Sequence, residues 1–250
     1  MKKLVLLALV AVSGWAYEFE FEEGGWSVES RDERELVVRA GGDLSLTAFR
    51  LEEGETLKIV DTEPIRLTIK REETAIGGQI ECTGSVEIFS EGFLILNESM
   101  QVSGEHVAII GERGLSCSSI MECGKVTLRS KGMLLFDGEI SGDAELCTEG
   151  GLAVDGDIRY ENGIVVLRAD QIQVMGESVI DVSGEEGGFI SFDARDLYVD
   201  EDVTLKAGER GKIKVLANDP EILCSVTPEV TYGLYRNNPK NRFLPASDSH

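Results

Sequence analysis

From Ser85 onward the apolar residues form short alternating segments cut apart by glycine: VEIF, FLIL and SMQVSG, then HVAII, GLSC and SIMECG, then KVTL, MLLF and EISG. The same three-part unit continues through AELC, LAV and DIRY, through IVVL, QIQV and VIDVSG, and through FISF, LYV and VTLKAG, before KIKVLA closes the run. Each unit takes about 18 to 25 residues, a period that signals stacked solenoid coils. Within a segment, every second residue shares a face, and Gly, Asp, Glu or Ser supply the corners. On the third side of the last full coil, Val203, Leu205 and Ala207 share one face while Thr204 and Lys206 point the other way. One coil earlier Ile180 and Val182 flank Asp181, and two coils before that Ile140 lies between Glu139 and Ser141.

Three sides per coil predict a triangular cross-section filled by columns of Ile, Val and Leu. Parallel crossovers predict a right hand. The expected fold is therefore all-β: a right-handed parallel β-helix with an N-terminal cap and an irregular C-terminal tail. A helical reading fails because no window after Tyr17 holds an apolar stripe over three turns and glycine recurs too often. An antiparallel sandwich also has short strands and frequent turns, but three segments recurring six times in one order have no counterpart in a Greek key.

The two ends break the pattern. Residues 17–39 are densely charged, with Phe19 and Phe21 alternating with glutamate, and suit a cap over the open end of the stack. The coils are expected over 40–219. Four of the five prolines, Pro220, Pro228, Pro239 and Pro245, follow. Because proline cannot donate to a ladder, the coils are expected to stop near Asp219. Residues 220–250 then form an irregular tail carrying Arg236, Lys240 and Arg242.

Before the cap, MKKLVLLALVAVSGWA has two lysines, an apolar run from Leu4 to Val12, and small residues at Gly14 and Ala16. This is the pattern of a secretory signal over residues 1–16, cleaved between Ala16 and Tyr17. The apolar run is well short of the ~20 residues that span a bilayer.

Charge narrows the functional classes. Forty-six acidic residues against 24 basic ones give a formal charge of −22, which excludes a surface that neutralises a nucleic-acid backbone. The two histidines, His106 and His250, are too few for a histidine metal site, and no cofactor or metal is expected. Five cysteines, Cys82, Cys117, Cys123, Cys147 and Cys224, cannot all pair within one chain, and their spacings fit no C-x-x-C pattern. Buried thiols are the preferred reading over a disulfide framework, since a core of this size needs no staples.

Several segments resemble the secretion domain of filamentous-haemagglutinin-type exoproteins, which cross the outer membrane by two-partner secretion. They are Phe49 with Gly54 and Leu57, TAIGGQI from Thr74 to Ile80, and GSVEIFSEGF from Gly84 to Phe93; IDVSGEEGGFISFDA from Ile180 to Ala194 resembles that family's coils. The family's Asn-Pro turn is absent, and Ser90, Glu91 and Gly92 stand in its place, one residue shorter. The resemblance implies a secreted or cell-surface protein of a Gram-negative-type bacterium, reached through the periplasm. It also implies an outer-membrane two-partner secretion transporter as partner, and adhesion to a surface ligand as the parent function.

Parallel β-helices also serve as polysaccharide lyases and hydrolases, for which the candidate catalytic residues are Asp193, Arg195 and Asp196, with Asp200 close by. Such a site needs aromatic rings to stack on sugars, and only Tyr160, Phe192 and Tyr198 lie near in sequence. A solvated, charge-alternating corner is the better reading. Asn97-Glu98-Ser99 matches a glycosylation acceptor, a common chance pattern. Gly184 to Gly188, GEEGG, is expected to be a coil corner, since two glutamates repel phosphate and no helix follows. The sequence thus favours a non-catalytic exported interaction body, an adhesin or scaffold, with a carboxylate-based polysaccharide lyase or hydrolase as the alternative.

Overall fold

Alternating β-branched residues favour extended backbone, and the glycine breaks let each strand turn and lie over its counterpart one coil away. The computed structural model describes residues 51–235 except 52, 61–64 and 71, together with the strands Glu18–Phe21, Ser27–Arg31, Glu35–Arg39 and Leu44–Ala48. The signal segment with its Ala16–Tyr17 junction, Phe49, and residues 236–250 lie outside the described residues. Every regular element among the described residues is a strand.

The strands stack on three faces as a parallel β-helix. The first face starts with Glu35–Arg39, Thr56–Ile59 and Gln79–Cys82 and ends with Val226–Thr227. The second starts with Leu44–Ala48, Ile65–Ile69 and Ser85–Ser90 and ends with Val230–Gly233. The third runs from Glu73–Ile76 through Phe93–Leu96, Gly114–Cys117, Met133–Phe136 and Gly151–Val154 to Asp219–Ile222. Long strands such as Gln101–Gly111, Ile120–Ser130 and Phe189–Val199 bend through a corner and serve two faces. Coil length follows the register: Glu139 pairs with Asp157, 18 residues on, and Val179 pairs with Thr204, 25 residues on. That is the range expected from the glycine spacing.

Register also builds the core. On the first face Ile80, Val102, Met121, Ile140, Ile158, Ile180 and Leu205 stack in one column. On the second, Ile109, Leu128, Leu146, Leu167, Phe192 and Val215 do the same. All of these are buried. Val203, Leu205 and Ala207 face inward while Lys206 is exposed, so the inward phase of the last full coil is as expected.

The ends differ from expectation in two respects. Glu18–Phe21 and Ser27–Arg31 pair antiparallel with Leu44–Ala48 and Glu35–Arg39, so antiparallel strands flank the first coil. Glu35–Arg39 itself pairs in parallel with Thr56–Ile59, which starts the ladder inside the segment expected to be cap. At the other end the ladder does not stop near Asp219, because Asp219–Ile222, Val226–Thr227 and Val230–Gly233 add another set of parallel pairings. Pro220 is tolerated because, among the described residues, its strand pairs on one side only, which is where a strand accepts proline, and Pro228 falls at the corner between Val226–Thr227 and Val230–Gly233.

One corner device was not foreseen. Ser90, Ser130 and Thr148 point inward at the corner between the second and third faces, and all three are buried. Each hydroxyl accepts a hydrogen bond from the backbone N–H two residues on, that of Gly92 at 3.3 Å, Gly132 at 3.0 Å and Gly150 at 3.2 Å. A buried hydroxyl is thereby satisfied and the turn is fixed in the same step. The Ser90-Glu91-Gly92 segment is one member of this column.

Thr74 behaves differently. Its side chain lies in the core column of the third face, opposite Leu94, and its Oγ1 is buried without a hydrogen-bond partner. Thr74→Val keeps the shape and removes the unpaired hydroxyl. Stability in urea is expected to rise by about 1 kcal/mol, at unchanged m-value.

Candidate functional site

Alternation explains where the candidate cluster sits. Phe192 and Ala194 point inward on the second face, and Leu197 and Val199 point inward on the third, so the inward phase shifts between 194 and 197 and a corner lies there. Asp193 is consequently on the outside of the second face, Arg195 at the corner, and Asp196 on the outside of the third face. Phe192 is fully buried and belongs to the core column, so it cannot stack on a ligand. Tyr160 is exposed at another corner, where its N–H donates to the Asp181 carbonyl.

The charged side chains are engaged with one another. Arg168 donates to Asp193 at 3.2 Å. Arg195 bridges Asp170 and Asp196, each at 3.0 Å, and Gln171 reaches Asp196 at 3.4 Å. Asp200 accepts from the Glu201 N–H at 2.7 Å and from the Tyr198 hydroxyl at 3.4 Å. Partial desolvation, then the nearby Asp200 carboxylate, hold the Tyr198 phenol above its usual pKa, so it remains neutral at pH 7. The residues adjacent in sequence are thus divided among two faces and their corners, and each of Asp193, Asp196 and Asp200 has a donor at hand.

A groove of about 450 Å³ lies on the outside of the third face over its last three rungs. Its outward columns are Gln171, Asp196 and Asp219 in one and Gln173, Tyr198 and Glu221 in the other. Of the candidate residues, the groove takes in Asp196 and Tyr198 and leaves out Asp193, Arg195 and Asp200. Among the described residues no cluster of three or more His, Cys, Asp or Glu is arranged to hold a metal ion.

Beside the groove, with which it shares the rung of Gln171 and Gln173, the third face changes character. Its outward positions from Phe93 through Gly114, Met133 and Gly151 to Gln173 carry no charge over five successive rungs. Elsewhere the exterior is laced with ion pairs such as Lys58–Glu81, Arg66–Glu87 and Arg129–Glu145. Sequence reasoning did not pick out this face, although its signal was present. FLIL and MLLF are unbroken apolar runs, the signature of strands apolar on both sides, where the neighbouring segments alternate.

The remaining motifs are structural. In the GEEGG corner, the N–H groups of Glu186 and Gly187 both donate to Asn162 Oδ1 from the coil below, at 3.0 and 3.1 Å, so they make no phosphate cradle. His106 lies beside Thr127, 3.3 Å away, and burial followed by the charge of Lys125 lowers its pKa. All five cysteines are unpaired thiols, with Cys117, Cys123 and Cys147 buried. Burial pushes Cys117 up to about 11 and Cys123 and Cys147 up to about 12, which makes them inert as nucleophiles. Cys82 and Cys123 share a face but stand two rungs apart with Gly104 between them. That separation, about 9.6 Å between backbones, is beyond the ~7 Å that a disulfide bridges.

Compared with protein-family models, with curated proteins and with solved structures, the chain matches none of them.

Proposed function

We propose that the chain is an exported, non-catalytic β-helical interaction body, an adhesin or scaffold akin to the secretion domain of haemagglutinin-type exoproteins. The observation that carries this reading is the disposition of the carboxylates. Asp193 and Asp196, the pair a lyase or hydrolase would need, lie on different faces, and each is already engaged by an arginine. Solvated, arginine-neutralised carboxylates are poor general bases and poor nucleophiles. The leading segment supports export, with cleavage before Tyr17, and the proposed location is the surface or exterior of a Gram-negative-type bacterium, with a two-partner secretion transporter as the export partner.

Two measurements test this. Mass spectrometry of the native protein is expected to find the N-terminus at or near Tyr17, and intact Met1 on cytoplasmic protein would contradict export. Incubation with acidic and neutral polysaccharides, with and without Ca²⁺, is expected to release no reducing or unsaturated ends. Release that disappears in Asp193→Asn/Asp196→Asn would establish the enzyme reading. The double variant itself is expected to melt within a few degrees of the native protein, because exposed ion pairs contribute about 0 to 1 kcal/mol each.

A further inference from the structure

We propose that the uncharged part of the third face is a self-complementary surface on which a second copy of this chain docks, with the two solenoid axes antiparallel. The starting observation is a ridge beside a furrow. Met133 and Leu135 stand out on one rung, 55% and 37% exposed. The next rung presents Gly151 and Ala153 at the positions in register. A side chain at Gly151 would meet nothing nearer than Met133 Cε, 4.0 Å away, so the furrow is open. The other glycine rung is already filled, because the Phe93 ring lies across Gly114, 2.4 Å from where a Cβ would be.

Ridge and furrow are one rung apart, about 4.8 Å. A two-fold axis parallel to the strands and lying between these rungs turns the face over and reverses the rung order. It seats Met133 and Leu135 of each copy over Gly151 and Ala153 of the other. The same operation lays the rung of Gln171 and Gln173 over that of Gly114 and Ser116, an uncharged pairing. Such an interface is isologous and closes at two copies.

Charge selects the occupant as well. A chain of formal charge −22 meets its own copy at least cost through surface that carries no charge. The carboxylates at the ends of this face, Glu73, Asp219 and Glu221, and the arginine-bound Asp196 lie beyond the ridge and furrow. Six rungs of four-residue strand, the outermost pairing setting Phe93 and Ile95 over the arginine-bound Asp196 and Tyr198, cover on the order of 400 Å² per copy, about half of a standard interface. The dimer is therefore a weak one, with Kd expected at roughly 10 to 100 µM.

Sedimentation equilibrium of the purified protein from about 5 to 500 µM, in low and high salt, tests the proposal. A reversible monomer–dimer equilibrium that tightens as salt rises is expected, because screening removes the mutual repulsion while the contact itself is uncharged. Met133→Asp places a carboxylate over each furrow and is expected to weaken association at least about tenfold with unchanged circular dichroism and melting. A monomer at 500 µM in high salt would overturn the proposal, as would a dimer indifferent to Met133→Asp, which would place the contact elsewhere, for example on the last rung with its exposed Tyr232 and Leu234. Because the readout is mass, this outcome is independent of the polysaccharide and N-terminus measurements that test export and catalysis.

Discussion

Leu205→Asp is expected to lower the melting temperature by roughly 10 °C, whereas Lys206→Asp, one residue on, shifts it by no more than about 2 °C. Leu205 is fully buried, with Ile180 on one side and Val226 on the other in the column of the first face. Its removal forfeits about 2 to 3 kcal/mol of apolar burial. The carboxyl that replaces it has no donor within the column and must be buried protonated or drag the coil open, a further several kcal/mol. Lys206 is exposed on the same strand, and its replacement leaves the column untouched.

Position along the stack shapes how the Leu205→Asp loss appears. A solenoid coil is held by its two neighbours, and among the described residues the coil of Leu205 has one rung beyond it. Opening of these terminal coils, without the rest, is the cheapest response, so amide exchange is expected to accelerate first at Thr204–Lys206 and Val226–Thr227 while Ile140 and Ile158 stay protected. If Lys206→Asp proves the damaging change, the strand is displaced by one residue and every side chain on it is reversed.

The parts of the architecture legible in the sequence are those set by period two and by glycine. Val203, Leu205, Ile180, Val182 and Ile140 face inward because alternation on a pleated strand leaves no other choice once one face is apolar. Corners obeyed no such rule. Asp193 and Asp196 are three residues apart, and whether they converge depends on a turn between them that shifts the phase, a feature linear spacing does not reveal. The Ser90, Ser130 and Thr148 corners were hidden for a similar reason, since a serine that caps a turn and a solvated serine look alike in one chain. Proline misled in the opposite direction. The rule that Pro220 ends pairing holds for a central strand, and here, among the described residues, the strand pairs on one side only. The uncharged face is written in FLIL and MLLF, whose outward as well as inward positions are apolar, but a run of four apolar residues does not by itself tell which of its two faces stays exposed.

Gly142→Ala is expected to cost about 2 to 4 kcal/mol, while Gly151→Ala on the same solenoid is neutral or gains up to about 1 kcal/mol. The difference arises at the corner between the first and second faces. There Glu122 pairs with Ser141 and Lys125 with Asp143, so Cys123 and Gly124 together oppose the single residue Gly142. The extra residue pushes the Cys123 carbonyl toward the neighbouring coil, in the manner of a β-bulge. A Cβ on Gly142 would lie 1.8 Å from that oxygen, a backbone atom that cannot rotate away. Relief requires the two coils to part by more than 1 Å against a spacing of about 4.8 Å, which strains the ladder bonds on both sides of the corner. Gly151 opens its strand on the outer face with only Met133 Cε at 4.0 Å, so a methyl group fits and the loss of glycine's freedom in the unfolded chain favours the fold. Urea unfolding of the two variants at equal m-value separates these effects. Equal stabilities would mean that Cys123 and Gly124 do not crowd Gly142, and that the coils at this corner are spaced more widely than their register implies.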